Sequence, residues 1–428
     1  MTSPQAAPLL VALATVIVAA GLLGNLARRL GQPPVVGEIL AGVLLGPTLF
    51  AGAVSRTLLP AATRPLLTAL ADVGVAVFMF LVGLELDRTL IRGTGRIAAS
   101  VSLTALVLPC GLGMALAGQL LHAYPTHNHT GFVLFMGAAM SITAFPVLAR
   151  ILTDRAMHRT PLGALALCCA GLSDVLAWSL LAVVVAVVSP GGSPWRALLL
   201  VPYLLLMLGP VRWLVGRLLP RPTVDGRPSA LLLALMFAGL LLSGAATEWM
   251  GLHFIFGCFL FGVAVPRPGT DRLRADLHER VGTVNNVLLL PVFFLTAGLQ
   301  VDLSGLGWSD LLQLALILLV AIGGKLLGAY AGALAGGLDH RISSAIAVLM
   351  NTRGLTELII LSVGRQLGIL DTRLYSLMVV MALVTTAMTG PLLEAVYPRD
   401  HALRASPQDV TRGHKERVTS GGSPGKGC

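Results

Sequence analysis

Long apolar runs recur along this chain and determine what it can fold into. Thirteen stretches approach or exceed the roughly 20 residues that cross a bilayer, and they carry almost no charge. Since 55% of the residues are hydrophobic and only 12% are charged, a soluble domain is excluded. Backbone polar groups in lipid must be satisfied within their own segment, so the sequence predicts an all-α polytopic membrane protein.

The predicted transmembrane spans divide the chain into a membrane domain and a short tail. The tail, residues 399–428, is polar and rich in glycine, which predicts a disordered segment. We expect spans at residues 8–27, 34–50, 66–86, 97–121, 131–152, 162–188, 195–219, 229–248, 251–266, 284–301, 310–336, 342–364 and 373–397.

Basic residues indicate the orientation of these spans. The tail and the loops that follow odd-numbered spans hold 23 of the 30 Lys and Arg residues, whereas loops after even-numbered spans hold five. Basic residues accumulate in cytoplasmic loops, so we expect the N-terminus outside the cell membrane and the C-terminus in the cytoplasm. Their dispersal over short loops excludes a nucleic-acid-binding surface, which needs one basic patch.

Two pairs of segments resemble each other. FMFLVGLELD (78–87) matches FFLTAGLQVD (293–302) at four positions, and GEILAGVLLGP (37–47) resembles GCFLFGVAVP (257–266). These matches pair span 2 with span 9 and span 3 with span 10, a shift of seven spans. An odd shift places the two halves in opposite orientations, and such inverted repeats are typical of secondary transporters.

Asp174 is the strongest candidate for a functional residue. It lies near the midpoint of an apolar span, where a charge costs about 3 kcal/mol or more and usually marks an ion path. A structural acid that pairs with a neighbour is the alternative. The preceding residue, Ser173, can add a neutral oxygen, although serine also serves to pack membrane helices.

Span 5 contains Ser141, Thr143 and Pro146 and is predicted to break near the proline, which lacks an N–H and clashes with an earlier carbonyl. Hydroxyl and freed carbonyl oxygens suit a partly dehydrated monovalent cation. A kinked helix whose Thr143 hydroxyl caps its own backbone is the alternative. The repeat pairs this span with span 12, where the polar run 351–354 begins at Asn351 and is also breakable.

Three further ionisable residues inside spans are candidates for a role at this site. Lys325 is flanked by glycines, and a buried ammonium needs a partner, for which Asp174 is the natural candidate. Lys325 would balance the charge of an empty ion site, with a fixed structural pair as the alternative. Arg353 and Glu357 are four residues apart and can pair on one helix face. Because their charges cancel, we expect this pair to hold the broken span 12 together.

The chain resembles the monovalent cation:proton antiporter-2 family, which includes Kef-type and CHX-type sodium or potassium/proton exchangers. The resemblance covers nearly the whole membrane region in order, at PPVVGEILAGVLLGP (33–47), FMFLVGLELD (78–87), SITAFPVLARILTD (141–154), SDVLAW (173–178), GLHFIFGCFLFGVAVPR (251–267), LLLPVFFLTAGLQVDL (288–303) and MNTRGLTELIIL (350–361).

This resemblance implies an NhaA/NapA-like antiporter fold over residues 1–398, with spans 5 and 12 crossing as broken helices. It implies a homodimer, in which dimer-domain helices (8–86 and 229–301), a linker helix (195–219) and core helices (97–188 and 310–397) alternate along the chain. The family's ion-binding aspartate corresponds to Asp174 and its membrane lysine to Lys325. The family usually has Asn, Asp or Gln where this chain has Ser173, a departure that bears on ion choice and stoichiometry.

The sequence therefore predicts a secondary active antiporter that exchanges a monovalent cation, Na⁺ or K⁺, for protons by alternating access. Asp174 would bind a proton or a cation but never both. The five cysteines form no ligand-spaced cluster, and neither a cofactor nor an enzymatic activity is implied.

Three alternatives fit the residues less well. Proton-coupled efflux of an organic cation or antibiotic needs a wide aromatic pocket, and only 5% of the residues are aromatic. A cation channel needs a filter of carbonyls or acidic rings. An intramembrane aspartyl protease needs two facing aspartates, and only Asp174 lies in the core spans.

Overall fold

The computed structural model describes residues 6–48, 53–85, 95–126, 128–157, 160–188, 199–218, 230–250, 253–266 and 270–398. Regular secondary structure in these ranges is helical throughout, which confirms the all-α prediction. The tail that the sequence predicts to be disordered lies outside the described residues.

The helices follow the predicted spans in order. They are α1 (Ala6–Arg29), α2 (Pro34–Leu45), α3 (Ala53–Leu58), α4 (Arg64–Glu85), α5 (Gly95–Leu120), α6 (His129–Ser141), α7 (Phe145–Asp154), α8 (Pro161–Val188), α9 (Leu200–Leu206), α10 (Arg212–Leu218), α11 (Ala230–Trp249), α12 (Phe254–Ala264), α13 (Asp271–Asp276), α14 (Leu290–Leu299), α15 (Trp308–Ala335), α16 (His340–Met350), α17 (Leu355–Gln366) and α18 (Thr372–Val396).

The lengths of these helices identify a multi-pass membrane protein. Ten helical segments of the described residues are long and apolar enough to cross a bilayer, and α16 with α17, bent by 44°, makes an eleventh. Predicted spans 2 and 9 correspond to α2 and α12, which have 12 and 11 residues. Both are shorter than the ~20 residues of a straight crossing, so the count of thirteen spans stays a prediction.

The chain forms two compact units. The first comprises Met1–Ala27, Gly37–Leu86 and Leu180–Gly305, and the second comprises Arg28–Val36, Asp87–Ser179 and Leu306–Cys428. All the candidate site residues named above belong to the second unit.

Glycine contacts in the first unit repeat between the two halves of the chain. Gly42 in α2 packs against Gly298 in α14, and a Cβ atom added at Gly42 would lie 2.8 Å from the Gly298 Cα. Their repeat equivalents are Gly262 in α12 and Gly83 in α4, which also pack together. A Cβ atom at Gly262 would lie 3.0 Å from the Gly83 Cα. The repeat predicted from the sequence is therefore present as equivalent contacts between equivalent residues.

In the second unit, a row of glycines brings α15 against α5. Gly324, Gly328 and Gly332 are four residues apart and share one face of α15. A Cβ atom at Gly328 would lie 2.5 Å from the Thr104 carbonyl oxygen of α5. Small residues allow such close backbone approach between membrane helices. The contact fixes the position of Lys325 relative to α5, because Lys325 follows Gly324 directly.

We expect Gly42→Ala and Gly262→Ala each to lower the free energy of unfolding by about 1–3 kcal/mol, because the added methyl group overlaps backbone atoms. Gly118→Ala in α5 is the matched control, since its Cβ atom would meet nothing within 4 Å. Thermal unfolding of the purified variants measures the difference. Equal unfolding temperatures for all three variants would contradict the packing described for α2 and α12.

Candidate functional site

Two spans of the second unit are broken, and their breaks meet. Between α6 and α7, Ile142 and Ala144 have extended backbone, with φ of −73° and −92°. The Ala144 N–H donates to the Thr352 carbonyl at 2.9 Å, which joins this break to the one between α16 and α17. The Thr143 hydroxyl donates to the Met350 carbonyl at 3.1 Å, so the lone pairs of its oxygen remain available.

The break in span 5 precedes Pro146 rather than falling at it. Pro146 lies in the first turn of α7, where a missing N–H removes no helical hydrogen bond. The proline thus begins the second half-helix. At the other break, a Cβ atom at Gly354 would lie 2.5 Å from the Val147 Cγ2 atom, so glycine there lets the two spans cross closely.

Arg353 links the two broken spans. The last four carbonyls of α6 have no backbone N–H partner within that helix, and Arg353 donates to two of them, Ala139 at 2.9 Å and Met140 at 2.6 Å. Its Nη1 atom also lies 2.7 Å from Glu357 Oε2, and both side chains are 0% exposed. The Arg353–Glu357 pair predicted from the spacing is confirmed, whereas the contacts with α6 had no signal in the sequence.

Lys325 and Ser141 satisfy the two remaining carbonyls at the end of α6. The buried Lys325 ammonium donates to the Ser141 carbonyl, and to the Ala105 carbonyl of α5 at 3.0 Å. The Ser141 hydroxyl donates to the Ala138 carbonyl at 2.7 Å. All four terminal carbonyls of α6 therefore accept hydrogen bonds from side chains.

The direct pair that the sequence predicts between Lys325 and Asp174 is not formed. Instead, the ammonium binds the Ala105 carbonyl of α5 and the Ser141 carbonyl at the negative end of the α6 half-helix, which is a favourable place for a cation. Among the described residues, neither carboxylate oxygen of Asp174 has a hydrogen-bond partner, although Asp174 is only 3% exposed.

Asp174 lies in α8 beside the beginning of α7. The backbone N–H of Phe145, the first residue of α7, interacts with its carboxyl group without forming a hydrogen bond of normal geometry. A Cβ atom at Gly171, one turn earlier in α8, would lie 3.8 Å from the Phe145 ring. The carboxyl group therefore faces the positive end of a half-helix. The neighbouring Ser173 hydroxyl is also buried and has no partner within the described residues.

Further buried polar groups near the second break lack partners in the part of the chain described. Both amide atoms of Asn351, one oxygen of Glu357 and the Thr356 hydroxyl are among them, and the Ser343 hydroxyl at the other end of α16 also lacks a partner. Leaving such a group unpaired costs about 1–3 kcal/mol, so clusters of them indicate where water or ions bind. Sequence reasoning singled out Asn351 and Glu357 but missed the two hydroxyls, because serine and threonine in a helix commonly bond to their own backbone.

These features define a class of membrane transporter in which two broken helices meet beside a buried, unpaired carboxylate. Residues 13–396 match the family model described as the sodium/hydrogen exchanger transmembrane family. The chain belongs to this family, and the resemblance to cation:proton antiporters that its motifs indicate is confirmed.

Several relatives share this membrane region. The chain is similar to the Na(+)/H(+) antiporter NhaS4 of Synechocystis sp., with 39% identity over 91% of this chain and 98% of the relative. It is 36% identical to Cation/H(+) antiporter 20 of Arabidopsis thaliana, over 91% of this chain and 48% of the relative. It is 33% identical to K(+)/H(+) antiporter 1 of Saccharomyces cerevisiae, over 86% of this chain and 44% of the relative. The chain thus spans about half the length of the plant and yeast relatives.

A solved structure supports the fold. The sodium proton antiporter MjNhaP1 from Methanocaldococcus jannaschii at pH 8 superposes with a TM-score of 0.65, over 92% of this chain and 97% of that chain. Their sequences are 15% identical, so this likeness concerns the fold alone.

Removing the Arg353 side chain should destabilise the protein strongly. Arg353→Met leaves two α6 carbonyls and the Glu357 carboxylate unpaired, which we expect to cost about 3–5 kcal/mol of unfolding free energy. Arg353→Lys should not restore stability, because one ammonium group cannot reproduce the hydrogen bonds that the two Nη atoms of the planar guanidinium make. Arg373→Met is the matched control; this arginine is 55% exposed and lies 3.7 Å from Asp310, so we expect a loss below about 1 kcal/mol.

Thermal unfolding of the purified variants gives the result without relying on transport. A wild-type unfolding temperature for Arg353→Met would show that the α6 carbonyls do not depend on this residue.

Proposed function

We propose that this chain is a secondary active antiporter that exchanges a monovalent cation, Na⁺ or K⁺, for protons across a membrane by alternating access. The observation that carries this proposal is the buried Asp174 carboxylate, whose oxygens lack partners within the described residues. The relatives are named as Na⁺/H⁺, K⁺/H⁺ and cation/H⁺ antiporters, which agrees with this proposal.

Asp174 is proposed to bind the transported ion. A protonated carboxyl group and a carboxylate that holds a monovalent cation carry the same charge, so the two loaded states can substitute for each other. The Ser173 and Thr143 oxygens are neutral and suit a hard cation that keeps part of its water. Ser141 acts from the end of α6, where its hydroxyl and carbonyl fix the position of the break.

Lys325 is proposed to balance the charge of Asp174 when the site is empty, acting through space rather than by direct contact. Its hydrogen bonds to carbonyls keep the ammonium in place without occupying the carboxylate. Arg353, Glu357, Asn351 and Pro146 are proposed to hold the two breaks in register, so that the half-helices move as one body.

The two compact units are proposed to act as a dimerisation domain and a transport core in a homodimer. We place the protein in the cell membrane with its N-terminus outside and its C-terminus in the cytoplasm, on the strength of the distribution of basic residues. An impermeant thiol reagent that labelled Cys428 in intact cells would contradict this orientation.

Asp174→Asn should abolish exchange while the protein stays folded. The amide keeps the shape of the side chain but cannot trade a proton for a cation. The assay uses purified protein in liposomes with a trapped pH dye and adds Na⁺, K⁺ or another cation in turn. Asp302→Asn, which changes a partly exposed acid in a loop, is the matched control and should keep wild-type exchange. Cation-driven proton movement in the Asp174 variant would remove this residue from the mechanism.

Exchange should be electroneutral, because Ser173 cannot ionise and one carboxylate carries one proton or one cation. A membrane potential is worth about 2.3 kcal/mol per charge per 100 mV, and it should not change the rate or end point. The test imposes a potassium–valinomycin potential and uses a substrate other than K⁺. Ser173→Asp adds a second acid and should make exchange voltage-dependent. Voltage dependence in the wild type would point instead to Lys325 as a second proton carrier.

A further inference from the structure

A cavity of about 370 Å³ lies in the second unit and is lined by none of the candidate site residues. Its walls come from the turn between α1 and α2 (residues 28–33), the end of α7 at Ile151, the following Arg155, and Gly390 of α18. Its volume falls within the ~300–1,000 Å³ of small-molecule pockets. The distribution of basic residues places these helix ends on the cytoplasmic side.

Arg155 is held in a fixed position at this cavity. Its Nη1 atom lies 2.7 Å from Glu394 Oε2, its Nη2 atom donates to the Gly390 carbonyl at 2.8 Å, and its side chain is 16% exposed. Glu394 therefore compensates its charge and fixes the plane of the guanidinium. A guanidinium fixed in advance loses little conformational entropy when it binds an anion.

Arg28 supplies the uncompensated positive charge. Within the described residues, the exposed Arg28 side chain and the half-buried Gln32 side chain make no hydrogen bond or ion pair. None of the described residues that line the cavity is acidic. Guanidinium groups bind phosphate oxygens in pairs of parallel hydrogen bonds, and the Gln32 amide can accept from a hydroxyl group. Pro33 and Ile151 add apolar surface for an organic group.

We propose that this cavity binds a phosphate monoester, with Arg28 and Arg155 contacting the phosphate and Gln32, Pro33 and Ile151 contacting the organic part. Arg155, which is held in place, orients the anion, and Arg28 attracts the anion and closes over it. The same headgroup chemistry occurs in a soluble nucleoside monophosphate and in a phosphatidate lipid, so the experiment must separate these sources.

Occupancy of the cavity should also affect exchange, a step that rests on the proposed function. Val35, just beyond the turn, packs against a row of three buried apolar residues. These are Ala144, which directly precedes α7, and Val147 and Ile151 within it. That row runs from the break between α6 and α7 to Ile151 in the wall of the cavity. A ligand that joins the turn to Arg155 would stabilise the present position of α7 and slow its movement.

The test measures thermal unfolding of the purified full chain with AMP, inorganic phosphate or phosphatidate in mixed micelles, and with adenosine as the uncharged control. We expect AMP or phosphatidate, but not adenosine, to raise the unfolding temperature in a saturable way. Arg28→Gln should weaken this binding about tenfold or more, because it removes a charge-assisted contact. Arg29→Gln, the matched control, removes the same charge from the next residue, which does not line the cavity.

The outcomes are distinct. Stabilisation by phosphatidate alone, lost in Arg28→Gln, assigns the site to a lipid headgroup, and stabilisation by AMP assigns it to a soluble ligand. The Asp174→Asn variant should bind equally well, so failure of the transport mechanism would leave this result intact. No stabilisation by any phosphate probe, or equal weakening by Arg28→Gln and Arg29→Gln, would overturn the proposal.

Discussion

A helix that breaks inside a membrane must find partners for its terminal carbonyl groups, and the rest of the second unit depends on how α6 meets this requirement. Arg353, Lys325 and the Ser141 hydroxyl together donate to all four carbonyls. A buried cation in lipid is costly, as are unpaired carbonyls, and each offsets the cost of the other. Because Arg353 comes from the opposite broken span and Lys325 from α15, these hydrogen bonds also hold three segments around the break.

Both units contain closely packed glycines, but they differ in what else holds their helices together. In the first unit, the pairs Gly42–Gly298 and Gly262–Gly83 bring backbones into direct contact. Lipid supplies no hydrophobic force between helices, so such close van der Waals contact provides much of their association. In the second unit, hydrogen bonds to broken backbone do part of this work and depend on a few buried polar side chains. Conformational change is more easily controlled at such polar contacts, because a bound ion or proton can alter them, whereas packed glycines offer no group that titrates.

Much of this arrangement could be predicted from the sequence. The apolar runs located the helices, the matches between halves identified the repeat, and the i,i+4 spacing gave the Arg353–Glu357 pair. Other features could not be predicted, for physical reasons. The partners of Lys325 are backbone carbonyls, which every residue has, so no side-chain pattern identifies them. The break in span 5 falls before Pro146 because proline is tolerated in the first turn of a helix. Whether the Ser343 and Thr356 hydroxyls are buried without partners depends on how the helices pack, which no local sequence pattern shows.

The separation of Lys325 from Asp174 bears on how one carboxylate can serve two ions. If the ammonium occupied the carboxylate, a cation would have to displace it, and the displaced lysine would need another partner or would lose its proton. Here the ammonium is already held by the Ser141 and Ala105 carbonyls. In the proposed mechanism, binding a cation or a proton at Asp174 would break no ion pair, and the lysine could keep its partners in both loaded states. In that mechanism, selection between ions would be left to neutral oxygens, for which Ser173 in α8 and Thr143 in the break between α6 and α7 are the candidates. An ion that needed both oxygens would have to fit the distance between α8 and this break, which is flanked by the hydrogen-bonded end of α6.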